Sequence, residues 1–367
     1  MNIRMCLASF GLAATVASAT IPAQAQTADI DKLIAAAKAE GSVVAYWMSA
    51  RIANAGAGFA AKYGIKVLGT KMTDAESTEK VVREVESGNV QVDIIGYDDG
   101  PRLITEMIPG KYVENYVPPG LKDAIPEASR NPLIYLWQVS IFGYNTERYD
   151  KCPITNVWQL TEPKWAGKLH MFDPRLRSMQ IQAFSAMEDR ADELAASYEK
   201  FYGKPLKLTQ ANAGLEFIKR LAASRPVLYN EDVELAANVG ARGQSDPPIG
   251  IYTLGRHREI KEKNLALGMC RLEPFQGINQ PTYIQIVAGA PHPNAAKLFA
   301  HYLLTQEGVS PWTKDVGAYS SNPTLSANPD NPYPNVSAWG NSLLVSDNAH
   351  VAKRRQDLLD LWIANNR

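Results

Sequence analysis

VVAYWMSARIANAGAGFAAKYGIKVLGTKMTDAESTEKVVREVESGNVQVDIIGYDD, residues 43–99, alternates three short apolar runs with two helical patterns. Val43 to Met48 reads as a buried strand. A helix carrying Phe59 and Tyr63 follows, is broken by Gly64, and gives way to a second strand at Ile65 to Leu68. Thr73 and Glu76 form a capping box ahead of a helix with Val81, Val82 and Val85 on one face and Gly88 at its end. Val92 to Gly96 is a third strand. Strands that alternate with helices predict an α/β protein, its parallel sheet covered on both faces.

Upstream, Ile30, Leu33, Ile34 and Ala37 have the i, i+3, i+4, i+7 spacing of a helix that Thr27 can cap and Gly41 can end. Downstream, strands are predicted at 141–144, 168–172, 227–229, 249–252 and 283–288. Helices are predicted at about 179–202, 214–223, 294–306 and 351–364. Pro323 to Pro334 is a loop rich in Pro, Asn and Asp, and no internal repeat is evident.

The first residues address the chain for export. A basic start at Arg4, an apolar stretch from Leu7 to Ala17 and the Ala23-Gln24-Ala25 exit predict a signal peptide over residues 1–25. Cys6 precedes the apolar stretch and so cannot carry a lipid anchor. Taking 25 residues from 367 leaves more than one hydrophobic core usually serves, so two domains are expected. Lys and Arg number 38 against 38 Asp and Glu, a balance with no basic field for nucleic acid. Cys152 and Cys270 remain in the exported chain, either as one disulfide or as two buried thiols.

Several stretches resemble the solute-binding proteins of ABC importers, in the branch of ferric-iron, thiamine and organic-anion binders. Phe59-Ala-Ala-Lys-Tyr-Gly-Ile-Lys-Val67 is similar to that family's first helix and second strand. Val92 to Asp98 resembles the strand and loop that begin a second ligand wall, and Phe142 to Thr146 the crossover into a second lobe. Leu160-Thr-Glu-Pro-Lys-Trp-Ala-Gly-Lys168 matches a family segment closely, with Asp173-Pro174-Arg175 at the expected distance. The resemblance implies two α/β lobes, a hinge and an interlobe cleft of the type II kind. It places residues 27–138 with 280–310 in one lobe and 139–279 with 311–367 in the other. It also implies a periplasmic monomer that binds a small solute and meets an inner-membrane permease, with no cofactor, no catalysis and no nucleic-acid partner.

Ligands of open α/β sheets sit beyond the carboxyl ends of strands, where loops and helix N-termini offer free N–H groups. That rule nominates Ser49 and Arg51 after the first strand, Asp98 after the third, and Trp137 before the crossover. From the second lobe it nominates Arg175, Arg177 and Ser178, then Asn230, then Tyr252 and Thr253. Plain structural roles compete: a surface ion pair for Arg51, a helix cap for Asp98 and Asn230, core packing for Trp137. Ferric-iron members carry adjacent tyrosines near Tyr252; here Thr253 breaks the pair, and the five histidines lack metal spacing. The Arg and Ser residues favour a small organic anion, a carboxylate or a phosphate ester, with ferric iron as the alternative. Two enzyme readings compete. Gly56-Ala-Gly-Phe-Ala-Ala61 fits a nucleotide-binding pattern but falls inside the helix instead of at the turn. A secreted hydrolase lacks G-x-S-x-G, H-E-x-x-H and C-x-x-C motifs.

Overall fold

A computed structural model describes residues 23–366. The expected signal peptide lies outside that range except for Ala23, Gln24 and Ala25, which open a helix, Ala23–Glu40. Thr27 is therefore inside this helix and not at its cap.

Twelve strands form one continuous sheet: β1 Ser42–Trp47, β2 Lys66–Lys71, β3 Ile94–Tyr97, β4 Val113–Glu114, β5 Ile134–Asn145, β6 Leu169–Phe172, β7 Val227–Tyr229, β8 Ile249–Thr253, β9 Leu267–Met269, β10 Gly277–Val287, β11 Ala318–Ser320 and β12 Leu343–Leu344. Their main path runs β2-β1-β3-β10-β5-β8-β6-β7. β1, β2 and β3 are mutually parallel, as are β6, β7 and β8. β5 and β10 pair antiparallel with each other between these two sets.

Strand alternation gives each set two buried faces. Val43, Ala45 and Trp47 join Ile94, Ile284 and Ile286 in one cluster, covered by helices that bring Phe59, Phe299 and Trp312. Tyr46, Ile95, Tyr97, Tyr283 and Val287 point the opposite way, into a cluster with Val81 and Met107. Beyond the crossing strands, Phe142, Leu169, Met171, Ile249 and Ile251 pack with Trp158, Phe184, Phe217 and Trp362. Val139, Ile141, Phe172 and Tyr252 pack on their other side with Leu235, Val239 and Trp339. Two double-faced cores, joined by shared strands, make two lobes.

The shared strands explain the gap between the lobes. On the side of β10 away from β5, Gly277 and Ile278 pair with β12, and Tyr283 to Ile286 pair with β3. Asn279 to Thr282 pair with β5 alone. Pro281, which has no N–H, is tolerated on that unpaired edge.

Cys152 and Cys270 are joined in a disulfide, with Cα atoms 5.2 Å apart and a sequence separation of 118. Among the described residues no helix is long and apolar enough to cross a membrane. The glycines of the nucleotide-like pattern lie within the helix Ile52–Tyr63. A Cβ at Gly56 would sit 2.8 Å from Val67 Cβ, and one at Gly58 would sit 2.3 Å from the Tyr302 hydroxyl. Both glycines serve close packing, and neither stands at a phosphate-binding turn.

Candidate functional site

The unpaired edge of β10 is the floor of a cleft of about 490 Å³. Loops after β1, β2 and β3 build one wall with Met48, Thr73, Asp74 and Asp98. Loops after β6 and β7 build the other with Arg175, Arg177, Ser178, Asn230 and Glu231. Ile278, Asn279, Gln280 and Pro281 form the floor, and the C-terminal segment closes one end with Leu344, Arg355 and Leu359.

On the first wall, Thr73 caps the helix Asp74–Glu86 and exchanges hydrogen bonds with Glu76. This fixes Asp74 at the first helical position, where its Oδ1 accepts from the Asp98 backbone N–H at 3.0 Å. Burial lifts the Asp74 carboxyl well above the usual range, and the neighbouring Asp98 lifts it further. Burial likewise pushes Asp98 up to about 6, against the pull of Thr282 and Arg177. Asp98 Oδ1 is closed off from solvent and accepts no hydrogen bond. The helix cap expected of Asp98 is supplied by Asp99, which accepts from Arg102 N–H and pairs with Arg355 across the lobes.

The second wall turns on Asp173. Its carboxylate takes the Arg175 backbone N–H and two guanidinium nitrogens, so Arg175 is held but half exposed. Arg177 reaches the Asn230 carbonyl through Nε at 2.9 Å and lies 3.7 Å from Glu231. Ser178 opens the helix Ser178–Asp189, whose N-cap residue, Arg177, makes no capping side-chain bond. Gln182, one turn on, donates to the Asp98 carbonyl of the opposite wall at 3.3 Å.

Of the ten residues nominated from the sequence, Asp98, Arg175, Arg177, Ser178 and Asn230 thus converge on the cleft. Ser49, Arg51 and Thr253 meet elsewhere, at a cavity of about 70 Å³ beside Gln138 and Asp315. There Arg51 is bound to Asp315, which also takes Arg258 at 2.6 Å. Thr253 donates to Asp232, itself paired with Arg256 at 2.8 Å. Tyr252 has no exposed surface and packs in the core beside His257. Trp137 packs between two core clusters and touches neither cavity. Strand alternation turns Tyr252 into the core, whereas Trp137 is half-buried where a cluster of each lobe meets.

Asp74, Asn279 and Gln280 line the cleft but were not nominated. Asp74 reads as the ordinary first residue after a cap. Asn279 and Gln280 are the better clue, being polar residues interrupting an otherwise apolar strand. Among the described residues no group of three or more His, Cys, Asp or Glu side chains is arranged to hold a metal.

Two lobes, shared crossing strands and a polar cleft between parallel-strand ends define a hinged receptor for a small solute. The chain belongs to the bacterial extracellular solute-binding proteins, whose family model matches residues 54–338. Its fold is that of iron-bound HitA from Pseudomonas aeruginosa, at TM-score 0.69 and 15% identity over 89% of this chain and 99% of that one. It is also that of AfuA from Actinobacillus pleuropneumoniae with fructose-6-phosphate bound, at TM-score 0.65 and 20% identity over 89% and 98% of the two chains. The substrate-binding protein of an ABC transporter from Agrobacterium tumefaciens aligns at TM-score 0.69 and 13% identity over 89% and 94%. At these identities the likeness is one of fold. No curated protein matches the sequence.

Proposed function

We propose that this protein is the solute-capturing component of an ABC-type importer, working in the periplasm after loss of residues 1–25. Its solute carries an acidic group, a carboxylate or a phosphate ester, held by Ser178, Arg177 and Arg175 with Asn230 beside them. In this reading one lobe comprises residues 27–138 with 280–310 and the other 139–279 with 311–367. The packing of Trp312 and Ala318 against the first lobe's core supports drawing the second boundary nearer residue 318. Closure of the lobes gives the permease a shape distinct from the empty one.

One observation carries the acidic group. The helix Ser178–Asp189 points its uncapped N-terminus into the cleft with two arginines at that same end. Cations at the positive end of a helix dipole are unfavourable, and an anion there relieves both the dipole and the arginines. The Agrobacterium protein of the same fold serves an ABC transporter, which supports the importer role.

A thermal-shift panel of small carboxylates and phosphate esters tests the reading. A solute at 100 times its Kd adds about 2.7 kcal/mol to the native state. Arg177→Ala is expected to weaken the best panel member about 10–100-fold, the worth of a charge-assisted hydrogen bond. A panel that leaves wild type unshifted, or equal affinity in Arg177→Ala, defeats it.

A further inference from the structure

We infer that the solute also carries a cationic nitrogen, an ammonium seated among Asp74, Asp98 and Asn279, and is therefore a zwitterion. This deepens the acidic-group reading and rests on it. The charges lining the cleft are not evenly matched. Arg102 pairs with Glu106, Arg175 with Asp173, Arg177 with Glu231 and Arg355 with Asp99. Among the described residues, no cation stands within salt-bridge distance of Asp74 or Asp98, and Arg177 acts on both only from farther away. Two adjacent half-buried carboxylates with no cation in contact are costly, and an arriving positive charge removes much of that cost.

An independent observation comes from the floor. Asn279 is 9% exposed, lines the cleft, and leaves its Oδ1 without a hydrogen bond. Asp98 Oδ1, on the adjoining wall, is equally unused. Both idle atoms are acceptors, so what is missing is a donor. An ammonium brings three N–H donors and the matching charge. A hard metal ion fits less well, because it calls for about six oxygen ligands and only two carboxylates meet here. Met48, Met179, Leu344 and Leu359 line the same cleft and suit a short methylene chain joining the two charged ends.

Titration calorimetry on the exported chain with matched probes tests the inference. The pairs are 4-aminobutanoate with butanoate, and phosphoethanolamine with ethyl phosphate; butylamine supplies the cation alone. The aminated member of at least one pair is expected to bind about tenfold tighter or more than its deaminated twin. Asp98→Asn should abolish that preference without weakening the deaminated probe. Should Asp98→Asn fail to fold, Asp74→Asn is read the same way. Equal affinity within both pairs overturns the ammonium and leaves the acidic group standing. Butylamine binding as tightly as 4-aminobutanoate and phosphoethanolamine overturns the acidic group, and with it the zwitterion. Failure of every probe to bind overturns both.

Discussion

At neutral pH the Asp98 carboxylate is ionised where protein has replaced much of its water, and the pull of Arg177 and Thr282 only partly offsets that loss. The native protein, with its pKa near 6, holds the proton more tightly than the unfolded chain, whose carboxylate titrates near 4. Ionisation above that window therefore costs native stability, and the cost fades as pH falls through 6. Asp98→Asn is expected to stabilise the solute-free protein by on the order of 1–3 kcal/mol at pH 7.5. The gain should shrink at pH 5; paired thermal melts at the two pH values check this. A group with only a structural role would destabilise on substitution and would not follow pH in this way. Asp98 was legible in the sequence because it follows a strand end. Its partner Asp74 was not, since a residue behind a capping threonine looks the same whether or not a distant lobe closes over it. Arg51 illustrates the converse: its loop position is correct, but Asp315, far along the chain, holds its guanidinium.

Elements emerged from the sequence wherever apolar periodicity was unbroken, and blurred where polar residues serve the cleft. β5 and β10 were read as 141–144 and 283–288, yet they run Ile134–Asn145 and Gly277–Val287. Their unread halves contain Gln138, Asn279, Gln280 and Pro281, the residues that make the crossing, and these interrupt the alternation on which strand reading depends. The long helix expected at 179–202 is two helices, because Arg190 leaves helical geometry at φ −102° and ψ 31°. Its guanidinium then reaches the Leu343 carbonyl at 3.1 Å and holds β12 close to the helix break. The helix Ala213–Ala223 crosses the first of these two at Gly214. A Cβ there would stand 2.3 Å from the Met187 carbonyl oxygen and 2.6 Å from Glu188 Cα, both main-chain atoms with little room to yield. Gly214→Ala is expected to destabilise by about 1–3 kcal/mol as the helices are forced apart, measured by urea unfolding.

Across the molecule, the Cys152–Cys270 disulfide closes a loop of more than a hundred residues wholly within the second lobe. Chain-entropy arguments assign a cross-link of that span about 4–5 kcal/mol. Reduction, or replacement of both cysteines by alanine, should lower the melting temperature while leaving affinity for a bound solute nearly unchanged, because neither sulfur lines the cleft. The lobes also touch through Asp99 with Arg355, and through Asp315 with Arg258. Asn279 and Gln280 lie on a strand that both lobes own, near the pivot, so they travel least as the clamp shuts. Ser178 and Asp74 each belong to one wall, and the rims of those walls approach as the lobes turn. A molecule gripping only the pivot would occupy the receptor without pulling the rims together. Such a molecule would be an antagonist, and the permease would meet a filled carrier it reads as vacant.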